Sequence, residues 1–184
     1  ELAFGILEKQ WDTSSYRNQR TKENQDKVKS KDMVKTYMEW EKNNPNTPVD
    51  VEAKFRIEIN DVTISGMIDR VEQTPEGEYE VVDFKTGYAY KNKNTIKEDV
   101  QMNIYALGTE KLYGKLPKKT SLFYIKDNKF VPHFIEKEAL DEFTKSLGEK
   151  VDNIFDEKFD AAPEFRKCSR CDYASICDAK ESVN

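Results

Sequence analysis

The sequence predicts an α/β fold, a β-sheet flanked by helices, and three observations carry that prediction. Apolar residues alternate with polar ones through Val51, Ala53, Phe55, Ile57 and Ile59, and again through Val62, Ile64, Gly66 and Ile68, the two-residue period of strands. Helical spacing appears on both sides of that block, in Val28, Met33, Val34, Tyr37, Met38 and Trp40 and in Leu140, Phe143, Leu147, Val151 and Ile154. Asn60-Asp61 and Pro75-Glu76-Gly77 supply hairpin connections between the strands.

The elements follow in order. Residues 1 to about 44 are polar and read as helices ending near Asn43-Asn44-Pro45, because the residue before proline is pushed out of the helical region. Strands are expected over Val51 to Ile59, Val62 to Val71 and Tyr79 to Phe84, forming an antiparallel meander. After the lysine-rich stretch Gly87 to Lys97 comes a helix, Glu98 to Tyr113, closed by Gly114 and showing Val100, Ile104, Leu107, Leu112 and Tyr113 on its apolar face. Strands Thr120 to Ile125 and Lys129 to Ile135 flank the turn Lys126-Asp127-Asn128, and a helix runs from Lys137 to Phe155. From Ala161 the tail is irregular and bears the cysteines. Neither repeats nor low-complexity linkers occur, so one domain is expected: N-terminal helices over 1–48, a core over 49–160 and a tail over 161–184.

Composition bounds the class. With 184 residues and 37% hydrophobic content, the chain can bury a modest core under a charged surface. No apolar run is long enough to span a bilayer, and Glu1-Leu2-Ala3-Phe4-Gly5 lacks the basic start of a signal peptide, so an intracellular, cytoplasmic protein without a membrane partner is expected. The chain begins inside an amphipathic segment, Leu2, Phe4, Ile6, Leu7 and Trp11, and reads as a piece of a longer protein. The net charge of −5 argues weakly against binding nucleic acid, since phosphate affinity comes from local cations. Such cations do cluster, at Lys91, Lys93 and Lys97, at Lys111, Lys115, Lys118 and Lys119, at Lys126 and Lys129, and at Arg166, Lys167 and Arg170; each cluster taken singly reads first as a solvated face.

Gly66-x-x-Asp69 is followed fourteen residues after the aspartate by Asp83-Phe84-Lys85, each at the end of an apolar strand. Neighbouring strands can bring Asp69 and Asp83 together, and the strand period puts Asp83 and Lys85 on one face with Phe84 turned to the core. Two carboxylates suit a hard divalent cation such as magnesium or manganese, and a lysine beside them can orient a water for attack on phosphorus. Strand-end ion pairs are the plainer reading of these charges. Glu52 can approach the site from the first strand or stand in solvent.

Val51-Glu52-x-x-Phe55, Gly66-Met67-Ile68-Asp69-Arg70-Val71, Val81-Val82-Asp83-Phe84-Lys85-Thr86-Gly87 and Gln101-x-x-x-Tyr105 together resemble the RecB-type branch of the PD-(D/E)xK nuclease superfamily, over roughly residues 50 to 180. The tail, Cys168-x-x-Cys171 with Cys177 beyond it, is similar to the iron–sulfur clasp of a subset of that branch. The resemblance implies a restriction-endonuclease-like core with a central mixed sheet flanked by helices. It implies Asp69 and Asp83 as metal ligands with the backbone carbonyl of Phe84, Lys85 as the residue that positions the nucleophilic water, and Gln101 and Tyr105, one helical turn apart, as its supports. The activity implied is Mg- or Mn-dependent cleavage of DNA, single-stranded or at unwound ends, exonucleolytic rather than endonucleolytic, in the C-terminal module of a helicase–nuclease of repair and recombination. The helicase domain would lie in the same or a partner chain.

This sequence departs from the branch in two respects. A metal-site histidine is usual on an N-terminal helix, whereas the one histidine here is His133, in a late strand; Lys9 is a candidate equivalent, or the histidine lies upstream of Glu1. A [4Fe-4S] cluster takes four thiolates and this chain has three cysteines, leaving a lost fourth ligand, a zinc site or free thiols open. A CRISPR-associated nuclease with the same clasp, an inactive nuclease-fold module that binds DNA, and an acidic interaction domain are the alternative readings.

Overall fold

A computed structural model of the chain describes residues 1–179. The three expected strands become β1 (Thr47–Ile59), β2 (Val62–Gln73) and β3 (Tyr79–Lys85), antiparallel and joined by tight turns. Asn60 and Asp61 both adopt left-handed φ, 47° and 62°, the backbone that a two-residue hairpin turn demands and that Asn and Asp tolerate. β4 (Lys119–Tyr124) then adds parallel to β3, and β5 (Lys129–Phe134) returns antiparallel, giving the order β1-β2-β3-β4-β5. The sheet is therefore mixed, with helices on both faces, as the sequence predicts.

The parallel joint needs a long crossover, which residues 86–118 supply. Its helix, α3 (Val100–Tyr113), starts two residues later than periodicity suggests because Asp99 caps it: the carboxylate accepts the Met102 N–H at 3.0 Å. Gly114, at φ 70°, ends it. α3 packs on the face built from Phe55, Ile68, Val71, Val81 and Leu122. The last long helix, α4 (Lys137–Phe155), has the bounds expected of it and buries Leu140, Gly148 and Val151.

Two helices precede the sheet, α1 (Leu2–Lys9) and α2 (Arg20–Asn43). α2 covers the sheet's other face through Tyr37 and Trp40, whose rings meet Phe84 edge-on at 5.4 and 5.6 Å. Beneath α2 lies a buried polar network. Arg70, 3% exposed, reaches Glu72 at 2.6 Å and Glu41 at 2.8 Å, while the amide of Asn46 bridges the cross-strand carboxylates of Glu72 and Glu80. Such groups are tolerated inside a fold because each carboxylate meets a donor or a cation.

One expectation fails in β1. Val51 does not continue the buried row of Ala53, Phe55, Ile57 and Ile59; it is 62% exposed. The reason is a change of phase. Asp50 and Val71 face α3, since Tyr113 donates to Asp50 and Val71 lies in the core, and so do Ala53 and Ile68 three residues along. Regular strands alternate, so both strands must rotate between those pairs. The rotation falls at Glu52, which has φ 54°, and at Asp69 across from it, between the pairs Val51↔Arg70 and Ala53↔Ile68.

Candidate active site

Asp69, Asp83, Lys85, Gln101 and Tyr105 meet at the C-terminal end of β3, under the first turn of α3. The β2–β3 ladder runs as far as Arg70↔Val82, so Asp69 and Asp83 are the next pair across. There the Asp69 side chain takes over from the ladder, its Oδ2 accepting the Phe84 N–H at 2.9 Å. Asp83 and Lys85 share the α3 face, as their spacing requires, and the Lys85 Nζ stands 2.7 Å from Asp83 Oδ2. Phe84 turns the other way, into the aromatic cluster with Tyr37, Trp40 and Phe123.

α3 completes the constellation. Lys85 also donates to Gln101 Oε1 at 3.0 Å, and Gln101 Nε2 donates to the Tyr105 hydroxyl at 2.9 Å. Because Lys85 offers only donors, it sets the Gln101 amide, which in turn fixes the Tyr105 oxygen as an acceptor from Gln101. Gln101 and Tyr105 project one above the other from successive turns. Burial and the facing Asp83 carboxylate push the Tyr105 hydroxyl up to about 12, so it stays protonated.

Asp83 is 2% exposed. Burial raises its pKa above the ordinary carboxylate range; Lys85 opposes that rise, and the neighbouring charges of Asp69 and Asp99 add to it. An anion so placed is stabilised by an added positive charge. Mg²⁺ is commonly held by one or two carboxylates while it keeps several waters, so Asp69 and Asp83 fit such an ion. Among the described residues no three His, Cys, Asp or Glu side chains gather into a metal-holding group. Glu52 therefore does not join the two aspartates as a third ligand; it is exposed, across from Asp69 on the rotated part of β1.

Sequence reasoning missed Asp99 and its pairing with Lys91. Asp99, 7% exposed, caps α3 and pairs with Lys91. The signal available for Asp99 was its position just before a helical run; Lys91 stood out only as one lysine of a basic cluster. His133 lies away from the aspartates. It is buried on β5 with Nε2 3.4 Å from Asn103 Oδ1, and burial lowers its pKa. Several lysines of the basic clusters are already paired, Lys115 with Glu78, Lys119 with Glu80 and Lys167 with Glu164.

The three cysteines of the tail are one short of the four thiolates that a [4Fe-4S] cluster takes. Cys168, at the end of the short helix α5 (Phe165–Cys168), Cys171 and Cys177 are free thiols, and they form no metal-holding group among the described residues. No helix among those residues is long and apolar enough to cross a membrane.

A profile of the PD-(D/E)XK nuclease superfamily matches residues 1–178. The chain is similar to the Gene 69 protein of Mycobacterium phage D29, 29% identical over 133 residues that cover 69% of this chain and 47% of that protein. It is also similar to the Gene 69 protein of Mycobacterium phage L5, 28% identical over 133 residues covering 69% of this chain and 43% of that one. The matched region spans a little under half the length of these relatives. Among solved structures, that of SSO0001 superposes with a TM-score of 0.49 at 17% identity, over 80% of this chain and 68% of that chain.

Proposed function

Because the chain belongs to the PD-(D/E)XK nuclease superfamily, we propose that it is a divalent-cation-dependent deoxyribonuclease whose catalytic residues are Asp69, Asp83, Lys85, Gln101 and Tyr105. The observation that carries this reading is the connected run of side chains Asp83, Lys85, Gln101 and Tyr105 at one end of the sheet, with Asp69 beside it on the Phe84 N–H. Nucleases of this superfamily generally use Mg²⁺ or Mn²⁺. Asp69 and Asp83, with the Phe84 carbonyl, would hold the ion, which supplies positive charge to the phosphate and acidity to a bound water.

The chain's own residues do the positioning. Lys85 spends two of its three N–H donors on Asp83 and Gln101, which leaves the third for a water directed at phosphorus. The attacking water gives up a proton to solvent as the new oxygen–phosphorus bond forms and the ester oxygen departs with its bonding pair, and a proton returned from solvent neutralises the leaving alkoxide. Gln101 and Tyr105 stop the lysine from swinging away.

The ordered motifs support the finer reading of a RecB-type nuclease module, acting on single-stranded or unwound ends, exonucleolytically, beside a helicase domain in the same or a partner chain inside the cell. We read residues 1–179 as one domain, with the helices of 1–48 and the tail attached to the core of 49–160. Cys168, Cys171 and Cys177 would take up a cluster only with a fourth ligand from outside this chain.

Cleavage of end-labelled single- and double-stranded DNA with Mn²⁺, Mg²⁺ or EDTA, beside an Asp83→Ala control, tests the proposal. Metal-dependent cutting lost in the control is expected. A folded chain that cuts neither substrate with either metal would overturn the assignment of this site as sufficient and favour a nuclease fold that binds without cleaving.

A further inference from the structure

The loop that leaves the site after Lys85 carries two aromatic rings in solvent. Tyr88 is 70% exposed and Tyr90 75% exposed, although the residues around them are tied down. Ala89, between them, packs against the core and donates its N–H to Asp127 Oδ2 at 2.6 Å. Lys91 pairs with Asp99, and Ile96 is fully buried. A loop anchored at three points ordinarily folds its large apolar side chains inward along with the anchors. Here the anchoring holds two rings outward.

Their surroundings are cationic. The Lys126 Nζ lies 3.4 Å from the centre of the Tyr88 ring, and the Lys91 Nζ lies 5.7 Å from that of Tyr90. Lys126 and, more weakly, Lys29 of α2 hold the Tyr88 hydroxyl below its ordinary pKa, so cations from three elements reach this corner. Asp127 accepts the Ala89 N–H, while Asp99 pairs with Lys91 and Asp26 with Lys29, which leaves Lys126 as the cation of this corner without a carboxylate partner among the described residues. Tyr90 stands edge-on to Tyr124 at 6.0 Å, and Tyr124 pairs with Lys85 across β3 and β4. Tyr88 is three residues from Lys85, about 10 Å of chain at most.

We propose that Tyr88 and Tyr90 form a stacking platform for unpaired bases of a DNA strand whose backbone runs past Lys126 and Lys91 into the candidate active site. This rests on the deoxyribonuclease reading and deepens it by naming what selects the substrate. Exposed rings beside lysines are the combination by which proteins hold single strands without reading sequence. In a duplex the base faces are covered by their neighbours, so the platform discriminates against paired DNA at this corner.

Binding, measured apart from cleavage, tests it. In EDTA, fluorescence anisotropy of a labelled oligothymidylate and of a labelled mixed-sequence duplex is recorded for the wild-type chain, for Y88A/Y90A and for Y88F/Y90F, with circular dichroism to check folding. Loss of both rings is expected to weaken single-strand binding on the order of ten- to a hundredfold. Y88F/Y90F, which keeps the stacking faces, should stay within about twofold of wild type, and duplex binding should be unchanged in both variants. An oligonucleotide with abasic sites should lose the tyrosine dependence. Equal single-strand affinity of Y88A/Y90A and wild type, or equal weakening for single strand and duplex, would overturn the platform. The nuclease reading fails separately, through absent metal-dependent cutting in a chain whose single-strand binding still depends on the rings.

Discussion

Asp83 is asked to be buried and anionic at once, and the conflict has a measurable sign. Burial raises its pKa in the fold above the value of about 3.9 in an open chain. The folded chain therefore keeps a proton that the unfolded chain releases, and without added metal its contribution to stability declines as pH climbs from the unfolded value through the raised one. Asp83→Asn removes that penalty, so in EDTA at pH 7 to 8 the variant should melt higher than wild type while cutting nothing. Below about pH 3, well under the open-chain value, both states are protonated and the two should melt together; thermal denaturation across that range checks it. Lys85 sits at a strand end, its side chain about a third exposed. Lys85→Ala should lower the cleavage rate by at least ~10²-fold with an unchanged circular dichroism spectrum, and unfolding of that variant would contradict the role given to it. Asp83 beside Lys85 was legible from strand periodicity; Gln101 and Tyr105 were legible only through the resemblance to a known family, helical spacing adding that they share a face. The pairing of Asp99 with Lys91 was not legible, because what brings that pair to the site is the path of a loop with no period.

Gly66 shows how the elements are fitted to one another. The Phe55 ring lies between two glycines, Gly66 on β2 and Gly108 on α3, and a Cβ on Gly66 would stand 2.5 Å from Phe55 Cζ, one on Gly108 2.7 Å from Phe55 Cγ. The helix can approach the hairpin only because neither position has a side chain. Gly66→Ala should cost about 1–3 kcal/mol, and adding Phe55→Leu, which removes the clashing ring atoms, should restore part of it; urea denaturation reads both. The hairpin and all eight long elements, five strands and three helices, were legible from periodicity and turn residues. The exposure of Val51 was not, since the phase change at Glu52 and Asp69 depends on how two strands rotate together, and alternation read along one strand cannot register it.

At the scale of the whole molecule, the fully buried residues among those described all lie between β1 and α4. No described residue after Val151 is buried. Removing everything after residue 160 should therefore leave the melting temperature within about 2 °C, since loss of each kcal/mol moves it by about 2–4 °C in a chain of this size. A larger fall would show that the tail carries contacts of the fold. The mixed sheet was legible only through the resemblance to a known family, because parallel pairing depends on which strand β4 chooses rather than on its own residues. That choice also sets a schedule. A ribosome releases Asp69, Asp83 and Lys85 well before Gln101 and Tyr105, and β3 has no neighbour on its far side until residue 124 has emerged. Pairing across so long a connection is among the slower steps of folding. The nascent chain consequently carries its acidic residues into the cell unassembled, and the constellation closes only after two thirds of these residues have been made.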